Sequence, residues 1–187
     1  MGTDENWTTV ITPAKRGLKL GFGELAHYSD LIWLFFKRDF TALYKQTVLG
    51  PAWYLIQPLI TTVVYSFVFG NLAGLGTEGV PPYLFYLSGI VLWRFFSDCL
   101  RKVSNTFLSN AGLFGKVYFP RLAVPIATVL SSAVAFAIQL LLFAGFYIYF
   151  WIKGMEINLH WSFALVPLIF VQVAVLGTAF GLIVTSM

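Results

Sequence analysis

Charge is what this sequence has least of. Asp, Glu, Lys and Arg make up 11% of its 187 residues, where an ordinary soluble domain carries about 25%. Cysteine is nearly absent too. Cys99 stands alone, which excludes an internal disulfide and a cysteine metal cluster. Only two histidines, His27 and His160, are present, far apart in sequence and without a nearby cluster of acidic residues. No G-x-x-x-x-G-K-[ST] run occurs, so ATP binding by a phosphate loop is excluded. No serine sits in a nucleophile-elbow pattern. Residues 1–23 hold Asp4, Glu5, Lys15, Arg16 and Lys19 and no apolar core, so they do not read as a signal peptide.

Apolar residues are present in excess, at 58% of the chain against about 45–50% in soluble domains. A soluble fold has nowhere to bury that much apolar surface, whereas a bilayer covers it with lipid. The pattern therefore predicts an all-α membrane protein. Four stretches are long enough to cross the hydrocarbon layer, which takes about 20 helical residues. They are predicted over about 51–75, 82–108, 122–151 and 161–187. The second is the least apolar, because Arg94 and Asp98 sit inside it.

Lys and Arg in the short connections set the expected orientation. Lys15, Arg16, Lys19, Lys37, Arg38 and Lys45 precede the first span, and none lies in 76–81. Arg101, Lys102, Lys116 and Arg121 lie beyond the apolar part of the second, which ends near Leu100, and only Lys153 follows the third. The expected arrangement has a cytoplasmic N-terminal segment (1–23), external 76–81 and 152–160 loops, and a cytoplasmic 109–121 loop. The two histidines then fall on opposite sides and cannot share a metal.

Residues 24–46 precede the first span and read as an amphipathic interface helix. At about 100° per residue, Leu25, Tyr28, Ile32, Trp33, Phe35, Phe36, Phe40, Leu43 and Tyr44 share one half. Glu24, His27, Asp30, Lys37, Arg38 and Lys45 share the other. Such a helix lies along the cytoplasmic interface, as an anchor alone or also as a contact for a cytoplasmic partner. Asp39 falls on the apolar half, where a carboxylate needs a cationic or backbone donor partner.

Polar residues inside the predicted spans are costly, so their faces matter. Arg94, Asp98, Arg101 and Asn105 form one stripe on the second span, with Arg94 and Asp98 placed for an i,i+4 ion pair. The stripe is either a local salt bridge reaching toward the cytosol or a face toward a wet pathway or subunit interface. On the first span Tyr54, Pro58, Thr61 and Tyr65 share a face, which serves interhelical hydrogen bonding or a pore lining. Aromatic rings beside hydroxyls suit sugars, stacking on their C–H faces while the hydroxyls exchange hydrogen bonds. Gly70-x-x-x-Gly74 and Gly177-x-x-x-Gly181 permit close helix approach. Gly74-Leu75-Gly76-Thr77-Glu78-Gly79 matches G-x-G-x-x-G only formally. An apolar helix precedes it and Pro81-Pro82 follows, so it reads as an external turn rather than a dinucleotide fingerprint.

Two segments carry a family resemblance. The first is Arg38-Asp39-x4-Tyr44-Lys45-Gln46-Thr47-x-Leu49-Gly50-x2-Trp53-x3-Gln57-Pro58. The second runs from Asn110 through Leu113-Phe114-Gly115-Lys116-Val117-Tyr118-Phe119-Pro120-Arg121 to Pro125. In this order and at these positions they resemble the ABC-2 permeases of bacterial polysaccharide exporters. The resemblance implies a homodimeric permease subunit of the inner membrane, not itself an enzyme and without a cofactor or metal of its own. It implies a separate nucleotide-binding subunit that binds ATP and Mg²⁺ and docks from the cytosol. Leu113, Phe114, Lys116, Tyr118, Phe119 and Arg121 are then the candidates for coupling to that ATPase. Tyr54, Thr61, Tyr65, Arg94, Asp98 and Arg101 become candidates for the path of a glycan carried on a polyprenyl lipid, and no nucleic acid is involved. The resemblance also implies six membrane helices. The fifth and sixth lie outside this sequence, so Tyr54, Thr61 and Tyr65 are expected to form at most half of a pore wall.

Two rival readings remain. An exporter of a small hydrophobic molecule calls for few polar wall positions, against the hydroxyls of the first span. A membrane glycosyl or acyl transferase needs paired carboxylates or a histidine-based site. Asp30 and Asp39 lie on different faces of their helix and do not supply one.

Overall fold

The computed structural model describes residues 28–45, 52–77, 79–114, 120–154 and 165–186, and among them there are helices and turns but no strand. Helix α1 is Ser29–Lys45. Helix α2 is Trp53–Tyr65 and continues as a π-helix over Ser66–Leu72. Helix α3 is Pro82–Ser109, and α4 is a single turn, Ala111–Phe114. Helices α5 and α6 are Ala123–Ile152 and Val166–Ser186.

Three helices are long and apolar enough to cross a membrane: Trp53–Leu72 with 20 residues, Ala123–Ile152 with 30 and Val166–Ser186 with 21. Four were expected. The 28-residue α3 has the length but carries Arg94, Asp98, Arg101 and Lys102 from its middle onward, which lowers its apolar character.

Helix starts follow local chemistry. Pro82 occupies the first turn of α3, where its missing N–H has no intrahelical partner to lose. The preceding turn uses Gly74 and Gly79 at positive φ, 65° and 88°, where a Cβ would clash with the backbone. Thr77 closes that turn by donating its hydroxyl to the Val80 carbonyl at 2.6 Å. Asn110 ends α3, its side-chain amide donating to the Thr106 carbonyl at 2.9 Å. Pro58 lies inside α2 and is fully buried.

The core lies where α3, α5 and α6 meet. Phe95, Phe136 and Phe170 contribute one ring from each helix, with centroids 4.8, 4.8 and 5.1 Å apart. Cys99 and Val103 continue this seam with no exposed surface. There α6 approaches most closely. A Cβ on Gly177 would lie 2.8 Å from the Cβ of Cys99, and one on Gly181 would lie 2.8 Å from that of Val103. The other glycine pair behaves differently from expectation. Around Gly70 and Gly74 a Cβ meets nothing within 4 Å, so this pair serves no helix contact among the described residues. Gly70 sits in the π-helix and Gly74 in the turn.

Helix α1 packs across the start of α5. Phe35 is buried against Ala123, Val124 and Ala127, with Tyr28, Leu31, Ile32 and Phe36 around it. Trp33, expected on the same apolar half, is instead 60% exposed. A single helix contact covers only part of a broad apolar arc, and α5 covers the Phe35 side.

Candidate functional site

The polar residues of α2 and α3 converge on one groove. It has a volume of about 730 Å³, and its walls include Thr61, Tyr65, Arg94, Asp98 and Arg101, all singled out from sequence. Tyr54 is not among its lining residues. A turn-by-turn stripe on α3 builds the second wall: Tyr86, Ile90, Trp93, Ser97 and Arg101 recur at spacings of 4, 3, 4 and 4. Such spacing puts them on one side of a helix.

The expected Arg94–Asp98 ion pair does not form. Arg94 donates instead across to the Gln57 side-chain carbonyl of α2 at 2.7 Å. Asp98 accepts from Arg101 at 3.3 Å. The physical reason is available partners. A guanidinium within reach of a side-chain carbonyl on the facing helix satisfies a donor without bending back along its own helix. The hydrogen bond also explains what Gln57 contributes beside the buried Pro58: it ties α2 to α3 in the middle of the groove.

Toward the other end the groove becomes aromatic. Tyr65 meets Phe69 edge-on at 5.5 Å, and Phe69 lies 6.1 Å from Tyr86. Tyr86 in turn contacts Phe85 at 5.4 Å. The π-helical turn Ser66–Leu72 carries Phe69 to this cluster. Thr61 donates its hydroxyl to the Gln57 carbonyl at 2.9 Å and keeps an acceptor oxygen facing the groove wall.

A second cavity, about 710 Å³, opens between α1, α3 and α5. Arg38 and Asp39 of α1 line it, with Asp98, Arg101 and Lys102 of α3. Asp39 has the partner it needs: Arg38 lies 2.9 Å from its carboxylate. Arg38 also donates to the Asn110 side-chain carbonyl at 3.2 Å and lies 5.0 Å over the Phe35 ring. One arginine thus joins α1 to the end of α3, beside the short helix α4. Lys102 donates to the Ser132 hydroxyl at 3.2 Å. The Ser131 hydroxyl on the α5 wall is buried and has no hydrogen-bond partner.

Several sequence candidates fall at the margin of the description. Leu49, Gly50, Lys116, Tyr118 and Phe119 lie outside the described residues, as do residues 1–27. Tyr44, Leu113 and Phe114 are described in backbone only, at the end of α1 and in α4. Arg121 is exposed in the turn that Pro120 opens before α5, where the Ala123 N–H donates to the Pro120 carbonyl at 2.9 Å. Trp53 is exposed at the start of α2. Among the described residues no group of three or more His, Cys, Asp or Glu is placed to hold a metal.

The family described as ABC-2 type transporter matches residues 30–187, which takes in all of the helices but the first residue of α1, and both cavities. The chain belongs to that family. It is therefore a membrane protein, with three apolar helices of spanning length. Among curated relatives, an O-antigen export system permease protein RfbA of Klebsiella pneumoniae is 26% identical over 146 residues, 78% of this chain and 54% of the relative. A protein of the same description from Myxococcus xanthus is 25% identical over 117 residues, 63% of this chain and 44% of its own length. This ABC-2 chain thus spans about half the length of the curated relatives it matches. Both relatives are named as permeases.

Sequence reading missed the α1–α3–α5 cavity, the Gln57–Arg94 bond and the roles of Tyr86, Trp93 and Ser97. The last three were findable, since they share the Arg94/Arg101 side of the helix. The cavity was not, because it depends on how α1 crosses α5.

Proposed function

We propose that this chain is part of the permease subunit of an ATP-driven exporter that moves polyprenyl-linked polysaccharide across the bacterial inner membrane. One observation carries the reading: a polar column runs from Arg101 through Arg94, Gln57 and Thr61 to Tyr65 along otherwise apolar helices, and ends in an aromatic cluster. A small hydrophobic cargo has no use for such a wall, whereas a sugar chain exchanges hydrogen bonds with it and stacks on its rings.

In this proposal α2, α3, α5 and α6 all span the bilayer, with the N-terminus cytoplasmic and α1 on the cytoplasmic interface. The α3 charges are tolerated because they face the wet groove rather than lipid. Two copies of the subunit line the channel. A separate ATPase, which binds ATP and Mg²⁺, docks from the cytosol on the 109–121 loop, where Leu113, Phe114, Lys116, Tyr118, Phe119 and Arg121 take up its motion. The lipid headgroup arrives near α1 and the Arg94/Arg101 side of α3, where cations attract its phosphates.

A mild-detergent pull-down of the tagged full-length protein from native membranes tests the partner. The expected result is a co-purifying ATPase subunit that a Phe114→Ala/Phe119→Ala form loses. Absence of any ATPase from the unmodified protein would overturn the assignment. Cargo is tested separately, by export of the lipid-linked glycan in cells carrying Thr61→Val/Tyr65→Phe. Export is expected to fall while assembly with the ATPase persists, and undiminished export would remove the groove from the path.

A further inference from the structure

The two polar cavities meet at a single ion pair. Asp98 and Arg101 line both of them. The α1-side cavity holds three cations, Arg38, Arg101 and Lys102, and two carboxylates, Asp39 and Asp98. Two of its cations are held in place: Arg38 by Asp39 and Asn110, Lys102 by Ser132. Arg101 is held loosely. Its contact to Asp98 is a single 3.3 Å approach, and its side chain is 73% exposed against 24% for Asp98. Across the cavity, the buried Ser131 hydroxyl has no partner.

We propose that the α1-side cavity is a site for a pyrophosphate-bearing headgroup, and that binding transfers Arg101 from Asp98 to the ligand. Asp98 is the placeholder. It neutralises Arg101 while the site is empty, and any anion must displace it. A single exposed contact of this kind is weak. A guanidinium binds phosphate oxygens through two parallel hydrogen bonds, so a multiply charged pyrophosphate outcompetes one carboxylate oxygen. A phosphodiester carries one negative charge and gains less from the exchange. Asp98 thereby discriminates a pyrophosphate headgroup from the bulk anionic phospholipids around the protein. This deepens the export reading above and rests on it, since it takes the cargo to be anionic at its lipid end.

The test is equilibrium binding to the full-length protein in nanodiscs of neutral lipid, with three probes: a radiolabelled polyprenyl pyrophosphate, inorganic pyrophosphate and phosphatidylglycerol. The unmodified protein is expected to prefer both pyrophosphates to phosphatidylglycerol. Tighter binding of the lipid form than of inorganic pyrophosphate assigns the site to a lipid headgroup, and equal binding assigns it to the phosphate moiety alone. Asp98→Asn is expected to tighten pyrophosphate binding about two- to fivefold, the worth of an exposed ion pair, and to admit phosphatidylglycerol. Arg101→Gln is expected to weaken it about tenfold or more, with Arg101→Lys between, because lysine keeps the charge and loses the fork. The deciding measurement is Asp98→Asn in the Arg101→Gln background, where no tightening is expected. Equal tightening in both backgrounds means Asp98 acts as a distant charge and overturns the transfer, while leaving the export reading intact. Failure of the unmodified protein to bind either pyrophosphate overturns both. Arg101→Lys guards against misfolding: binding indistinguishable from the unmodified protein at this conservative change also overturns the transfer.

Discussion

Replacing Gly181 with alanine puts a methyl group where α3 leaves no space. The new Cβ would lie 2.8 Å from the Val103 Cβ, 3.0 Å from a Val103 Cγ and 3.0 Å from the Leu100 carbonyl oxygen. At Gly177 it would lie 2.8 Å from the Cys99 Cβ and 3.1 Å from the Phe96 carbonyl. Ordinary carbon contacts are about 3.5–4.0 Å. Apart from the Val103 Cγ, the obstructing atoms are backbone or bonded directly to it, so no side-chain rotation relieves them. The helices must separate, and the seam around Cys99 and Val103 loosens with them. Overpacking costs about 1–3 kcal/mol, and the better helix propensity of alanine returns up to about 1 kcal/mol. The expected net loss is about 1–2 kcal/mol for either single change. Both glycines lie on one interface, so the double variant should lose less than the sum, because the first separation makes room for the second methyl. The assay is equilibrium unfolding of the full-length protein in mixed micelles by titration with a denaturing detergent. Gly145→Ala is the control. A Cβ there meets nothing within 4 Å, so it should be neutral or slightly stabilising. If both interface variants unfold within about 0.5 kcal/mol of the unmodified protein, the close α3–α6 approach is not the packing in the membrane.

The same seam is closed at its far end by Thr185, whose hydroxyl lies 2.9 Å from the Ser104 carbonyl; Thr185→Val should cost about 1 kcal/mol in the same titration. Arg38→Ala and Asn110→Ala should be coupled by about 0.5–1.5 kcal/mol in a double-mutant cycle, since they remove two ends of one hydrogen bond; independent effects would mean that α1 is held by Phe35 packing alone. Gln57→Leu leaves Arg94 without its 2.7 Å acceptor, so under the proposed function glycan export should fall several-fold, and Gln57→Glu should restore most of it by offering a carboxylate.

The interior of this protein was unevenly legible. Thr61, Tyr65, Arg94, Asp98 and Arg101 could be picked out because a polar side chain in an apolar stretch is expensive and so has a reason to be there. Their convergence on one groove depended on α2 lying beside α3, which no periodicity encodes. Arg94 shows the difference. Its helix spacing fits an ion pair with Asp98, yet its partner is Gln57, reached only across the helix interface. The two glycine pairs teach the same thing. Gly70-x-x-x-Gly74 and Gly177-x-x-x-Gly181 have one spacing, but a π-turn and a loop claim the first while a neighbouring helix claims the second.

What the sequence by itself determined is the chain's solvent and its local order. Long charge-free runs require lipid, and a helix is how their backbone groups are satisfied there. Pro82 starts a helix and positive-φ glycines make a turn in whatever fold surrounds them. Which residues meet was decided only by the tertiary structure. Phe35 seats on α5 while Trp33 faces outward, Arg101 stands between two cavities, and α6 presses on Cys99 and Val103. Those contacts join residues far apart in sequence. They rest on the crossing of packed helices, a property of pairs of surfaces that no single segment contains.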